Sequence, residues 1–239
     1  MMGTLKGLED NEPLVKAIVS GLGAVAAAVA TFAAYLHWRR FHVPVTVAAG
    51  AAAAVGIVLA ITAAIFGDQL NDLRTLMLVL TLLLGVAVFW FAMRWDASDQ
   101  ARTTRRSDVA FWLHLLAAPM IVHPVFTLLG LNDGDATIAE GLVVVLLYVV
   151  LAVAALAIDR RALLVSALAY VLYALTNVFE QIGAVGLSVA LTALVIGSAL
   201  LLLSAYWHQA RRLIVVRLPE ALQGRLPLLD RPPTLQPAA

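Results

Sequence analysis

Seven apolar runs, separated by short polar connections, set the plan of this chain. They cover roughly residues 14–37, 44–66, 73–93, 109–130, 138–158, 162–182 and 184–206. Each is close to the ~20 residues that a helix needs, at about 1.5 Å per residue, to cross the apolar interior of a bilayer. None alternates apolar and polar positions with a period of two, and each is about twice the length of a barrel strand. Helices are expected, because a helix satisfies its own backbone polar groups inside lipid. The pattern therefore predicts an all-α polytopic membrane bundle of about seven transmembrane helices over 14–206. A short segment over 1–13 precedes it and a basic, proline-rich tail over 207–239 follows.

The connections add an orientation. Arg39, Arg40, Arg94, Arg102, Arg105, Arg106, Arg160 and Arg161, with the five arginines from Arg211 to Arg231, fall after the odd-numbered runs. Lys6, Lys16 and Arg74 are all that fall on the other side. Basic residues collect on the cytoplasmic face, so the N-terminus is expected outside and the C-terminus in the cytoplasm. Trp38, Trp95, Trp112 and Trp207 lie at the arginine-rich ends of their helices, as amphipathic rings do at an interface. The first run lacks an A-x-A cleavage site ahead of a polar region and is expected to remain as a helix.

Composition agrees. With 62% hydrophobic and 13% charged residues, the chain has too little polar surface to fold as a water-soluble globule. A net charge of +1 carries no global field toward nucleic acid, and the absence of cysteine excludes disulfides, thiolate metal sites and cysteine nucleophiles. Small residues spaced by four, Ser20, Ala24 and Ala28 and then Gly56, Ala60 and Ala64, suit close packing of the first two helices.

Candidate chemistry gathers on helices four and six. Helix four, SDVAFWLHLLAAPMIVHPVFTLLG, has Ser107 or Asp108 as its expected N-cap and carries His114 and His123 among Pro119 and Pro124. Nine residues at about 100° each put the two histidines on opposite faces, so they are not an obvious metal pair. Helix six carries Ser166, Tyr170, Tyr173, Asn177 and Glu180 at alternating spacings of four and three, a single polar stripe that must face the bundle interior. Counting depth from the helix starts places His123 level with Tyr173 and Asn177, so these three form the expected cluster. Glu180 is expected at the outer interface. The candidate intramembrane site thus comprises His123, Tyr173, Asn177, His114, Tyr170 and Glu180. Interfacial His37, His42 and His208 read as solvated, as does the loop RWDASDQARTTRRSD.

The segments TRRSDVAFWLHLLAAPMIVHPVF, DRRALLVSALAYVLYAL and SAYWHQARRLIVVRLPEALQGRLP resemble those of a group of uncharacterised multi-pass inner-membrane proteins of proteobacteria. That resemblance implies a bacterial inner-membrane location and assigns no chemistry. Inward polar groups midway through a membrane need a reason, which leans the reading to small-solute or ion transport through a polar intramembrane site. A non-enzymatic scaffold, sensor or assembly factor is the alternative, and a haem- or metal-binding protein or intramembrane enzyme comes third. No cofactor is expected. The expected partners are membrane lipids, with anionic headgroups near Arg211, Arg212 and Arg217.

Overall fold

The computed structural model describes residues 12–66, 73–131, 137–181, 186–224 and 226–229. Every element among them is helical: α1 Glu12–Phe41, α2 Pro44–Phe66, α3 Leu73–Ala97, α4 Arg105–Leu128, α5 Ile138–Ile158, α6 Ala162–Gln181, α7 Ser188–Ala205, α8 Trp207–Val215 and α9 Glu220–Gln223. Seven of these, α1 to α7, are long and apolar enough to cross a membrane, which makes the chain a multi-pass membrane protein. The expected extreme C-terminus, 230–239, and most of the expected N-terminal segment lie outside the described residues.

α4 is the hub. Val109, Ala110, Leu113, Ala117, Ala118 and Phe126 are fully buried along it, and it packs against α2, α3 and α6. Outward-facing side chains are large and apolar, among them Leu22, Val25 and Phe32 on α1, Leu142 and Leu146 on α5 and Leu201 on α7. In water this would be an untenable surface; in lipid it is the matched one.

Two kinds of close approach position the bundle. α1 and α2 meet through small residues: a Cβ placed on Gly56 would stand 3.7 Å from Ala27 Cβ, and one on Gly50 would stand 3.3 Å from Ala34 Cβ. The expected stripe is corrected on α1, where Ser20 and Ala24 face inward but Ala28 is exposed. A strict spacing of four gains about 40° per step on a helix, so the seam passes to Ala27 and Ala34 instead. α3 and α4 approach more tightly still, because a Cβ on Gly85 would lie 2.9 Å from Met120 Cβ and 3.0 Å from its carbonyl carbon. Pro119 and Pro124 lie inside α4, and each removes the N–H that would bond the carbonyl four residues earlier.

The start of α4 differs from expectation. Its N-cap is Thr104, whose hydroxyl accepts from Arg106 N at 3.2 Å, and Ser107 is buried within the first turn. The reason lies in the loop before it, where Asp99 holds Thr104 in place.

Candidate functional site

The α3–α4 loop and the α5–α6 turn come together at one end of the bundle, where Asp96, Asp99 and Arg160 are buried rather than solvated as the sequence suggested, while Arg105 and Arg106 are exposed. Asp96, in the last turn of α3, is 1% exposed. Arg160, in the turn between α5 and α6, grips it twice, with Nη2 to Oδ1 at 2.5 Å and Nε to Oδ2 at 3.2 Å. The same Nη2 donates to the Ser107 carbonyl at 3.0 Å. A paired fork of this kind is what makes a buried carboxylate tolerable, since either ion alone would lose its hydration without return.

Asp159 and Asp99 extend the cluster. Asp159 caps α5 in the left-handed conformation (φ 55°, ψ 43°), a position that glycine usually takes. Glycine would accept the backbone shape but could not use the carboxylate, which here receives Trp207 Nε1 at 2.7 Å and Arg102 Nη1 at 2.8 Å. Asp99 binds Thr103 N at 3.1 Å, Thr104 N at 2.9 Å and Thr104 Oγ1 at 2.7 Å, so the loop wraps around a carboxylate. Burial alone raises the Asp99 pKa, but hydrogen bonds from the Thr104 side chain and from the Thr104, Thr103 and Ser107 backbone outweigh it and hold the group below 3.8. A carboxyl depressed by folding contributes stability that is fully present above its unfolded value and is lost as pH falls through the folded one. The melting temperature of the protein should therefore exceed that of Asp99→Asn by a constant margin above about pH 5, and the margin should shrink below about pH 4. A margin unchanged down to pH 3 would contradict this account.

His114 stands against this network. Its side chain is 1% exposed, its ring is stacked on Phe89 with centroids 5.1 Å apart, and its Nε2 lies 3.2 Å from Asp96 Oδ2. That approach is too poorly aligned to count as a hydrogen bond, and Nδ1 has no partner either. His123 faces the opposite way, as nine residues along a helix require. Its Nδ1 is 2.6 Å from the Tyr170 hydroxyl, and Phe126 stacks on the same tyrosine at 4.6 Å.

The expected cluster of His123, Tyr173 and Asn177 is therefore corrected. His123 pairs with Tyr170, while Tyr173 is 43% exposed and Asn177 keeps its buried Nδ2 without a hydrogen bond. Counting residues from the helix starts levels His123 with Tyr173 and Asn177, whereas the contact puts its partner on α6 one turn nearer the charged end. Glu180 is exposed and accepts from Ser188 Oγ at 3.2 Å, joining α6 to α7.

The remaining candidates scatter. His37 Nδ1 is 3.0 Å from Thr46 Oγ1, His42 packs beside Trp38, and His208 is exposed. Among the described residues no three His, Asp or Glu side chains gather as a metal set. Arg211, expected among lipid headgroups, is turned inward at 2% exposure and donates to the carbonyls of Pro227 at 2.6 Å and Leu228 at 3.1 Å. It lies on the buried face of α8 with Trp207 and Val215, four residues to either side. Arg212 and Arg217 are exposed.

Comparison of the chain with family models, with curated proteins and with solved structures finds no match in any of the three.

Proposed function

We propose that this protein moves a small solute or an ion across the membrane, with the α4 histidines taking up a proton or cation on the way. The observation that carries the reading is His114. A histidine present only for packing ordinarily has at least one ring nitrogen hydrogen-bonded, and this one has neither bonded while lying 3.2 Å from a carboxylate. Protonated, it would face Asp96 of α3 as a partner and Arg160 of the α5–α6 turn and Arg102 of the α3–α4 loop as like charges. His123 with Tyr170 supplies a second polar station deeper along the same helix.

The distribution of basic residues supports an N-terminus outside and a C-terminus in the cytoplasm, and a bacterial inner membrane as the setting rests on the resemblance to proteobacterial inner-membrane proteins. Exposed Arg212 and Arg217 are then positioned for anionic headgroups.

A scaffold or assembly role is the second reading, favoured by the way Asp96, Arg160 and Ser107 tie three segments together. The two separate in proteoliposomes under an imposed pH gradient, with release of trapped small solutes or ions followed by fluorescence. Transport predicts a flux whose pH dependence is lost in His114→Gln and His123→Gln, with both variants melting near the wild type. For His123→Leu, loss of the Tyr170 bond should cost about 1 kcal/mol of stability in addition. Absence of any flux in the wild type, or flux indifferent to both glutamines, would leave the scaffold.

A further inference from the structure

Between α6 and α7, with α5 behind, runs a groove of about 250 Å³ that the histidines do not reach. Its mouth is polar and cationic. Arg161 stands over Trp207, with its guanidinium 4.6 Å from the ring centroid, and its Nη1 is 3.4 Å from Ser204 Oγ. Its floor is aliphatic, formed by Leu164 and Leu168 of α6 and by Leu200 and Leu203 of α7. Arg161, just ahead of α6, precedes Leu164 and Leu168, and Trp207, at the start of α8, follows Leu200, Leu203 and Ser204 of α7, so the polar groups stand together at one end of two rows of leucines. The groove thus runs from charged end to apolar interior over about 10 Å. Tyr148 of α5 also lines it, with a buried hydroxyl that has no hydrogen-bond partner.

Arg161 differs from the arginines around it. Arg102 is paired with Asp159 and Arg160 with Asp96, whereas Arg161 is held by an aromatic face and a hydroxyl, with no carboxylate in reach among the described residues. A guanidinium fixed over a ring keeps its outward N–H groups for a planar or tetrahedral oxyanion. The geometry points to a site for one anionic phospholipid, with its phosphate on Arg161 and Ser204, an acyl chain along the four leucines, and the Tyr148 hydroxyl as a donor to an oxygen of the lipid. Charge and shape agree on the occupant: a cation at the level of the headgroups, opening on an apolar channel that starts in the same place.

The test uses purified full-length protein in a neutral detergent, titrated with phosphatidylglycerol, phosphatidylcholine or inorganic phosphate. Binding is read from the melting temperature and from quenching of Trp207 by lipid brominated in its chain. Phosphatidylglycerol should raise the melting temperature and quench, while phosphatidylcholine and phosphate at equal concentration should do neither. Arg161→Gln should weaken phosphatidylglycerol binding about tenfold, the loss of one charge-assisted hydrogen bond. Leu168→Phe, which narrows the channel and keeps the cation without adding a fluorophore, should abolish quenching, and Trp207→Phe identifies the quenched ring. Arg106→Gln, with its charge exposed at the start of α4, should bind as the wild type does. Equal effects of the two phospholipids, a response to phosphate alone, or equal losses in Arg161→Gln and Arg106→Gln would each overturn the assignment.

Discussion

Replacing Arg160 by methionine should lower the unfolding free energy by about 3–5 kcal/mol, because it strands a fully buried carboxylate. Asp96 would keep only the misaligned approach of His114, and the Ser107 carbonyl would lose the donor it has outside its own helix. Arg160→Lys should fall between, since an ammonium cannot reproduce the two-pronged grip on Oδ1 and Oδ2. The double variant Asp96→Asn with Arg160→Met should recover much of the loss, because it removes the stranded charge together with its partner. Denaturant-induced unfolding in micelles measures all three. A single methionine variant within about 1 kcal/mol of the wild type would mean that water reaches Asp96 and that the pair is not sealed.

The second large effect is expected at Gly85. Alanine there should cost about 1–3 kcal/mol, since its methyl group would press on Met120 at backbone as well as side chain and force α3 away from α4. Leucine should cost more. Gly21→Ala and Gly197→Ala are the matched controls, because nothing lies within 4 Å of a Cβ at either position and alanine is the better helix former. Those two should be neutral or slightly stabilising. If all three alanine variants behave alike in the same unfolding assay, the α3–α4 approach is not what sets their packing distance.

Span number and order were legible because the solvent imposes them: a segment too short or too polar cannot cross, so apolar length maps directly to helices. The bounds of α2 and α5 match the reading to the residue. The opposite faces of His114 and His123 were also legible, since they follow from a fixed angle per residue. What the chain hid was everything that depends on how helices pack against one another. Tyr170 and Tyr173 are equivalent members of one stripe, and only the packing of α4 against α6 selects the first. The charged cluster was hidden for another reason. Asp96 and Asp99 sit among arginines of their own loop, so reading along the chain pairs neighbours, whereas the actual partner of Asp96 is 64 residues away. One local signal was available and went unused: Thr137 followed three residues later by Glu140 is a capping box, and the structure shows both of its bonds at the start of α5.

That same separation of 64 residues has a bearing on assembly. A ribosome releases Asp96 with the third span and does not reach Arg160 until two further spans have been threaded. The carboxylate is thus made well before the guanidinium that neutralises it. The charged knot cannot close until five of the seven spans have been made, although Asp96 stands at the end of the third.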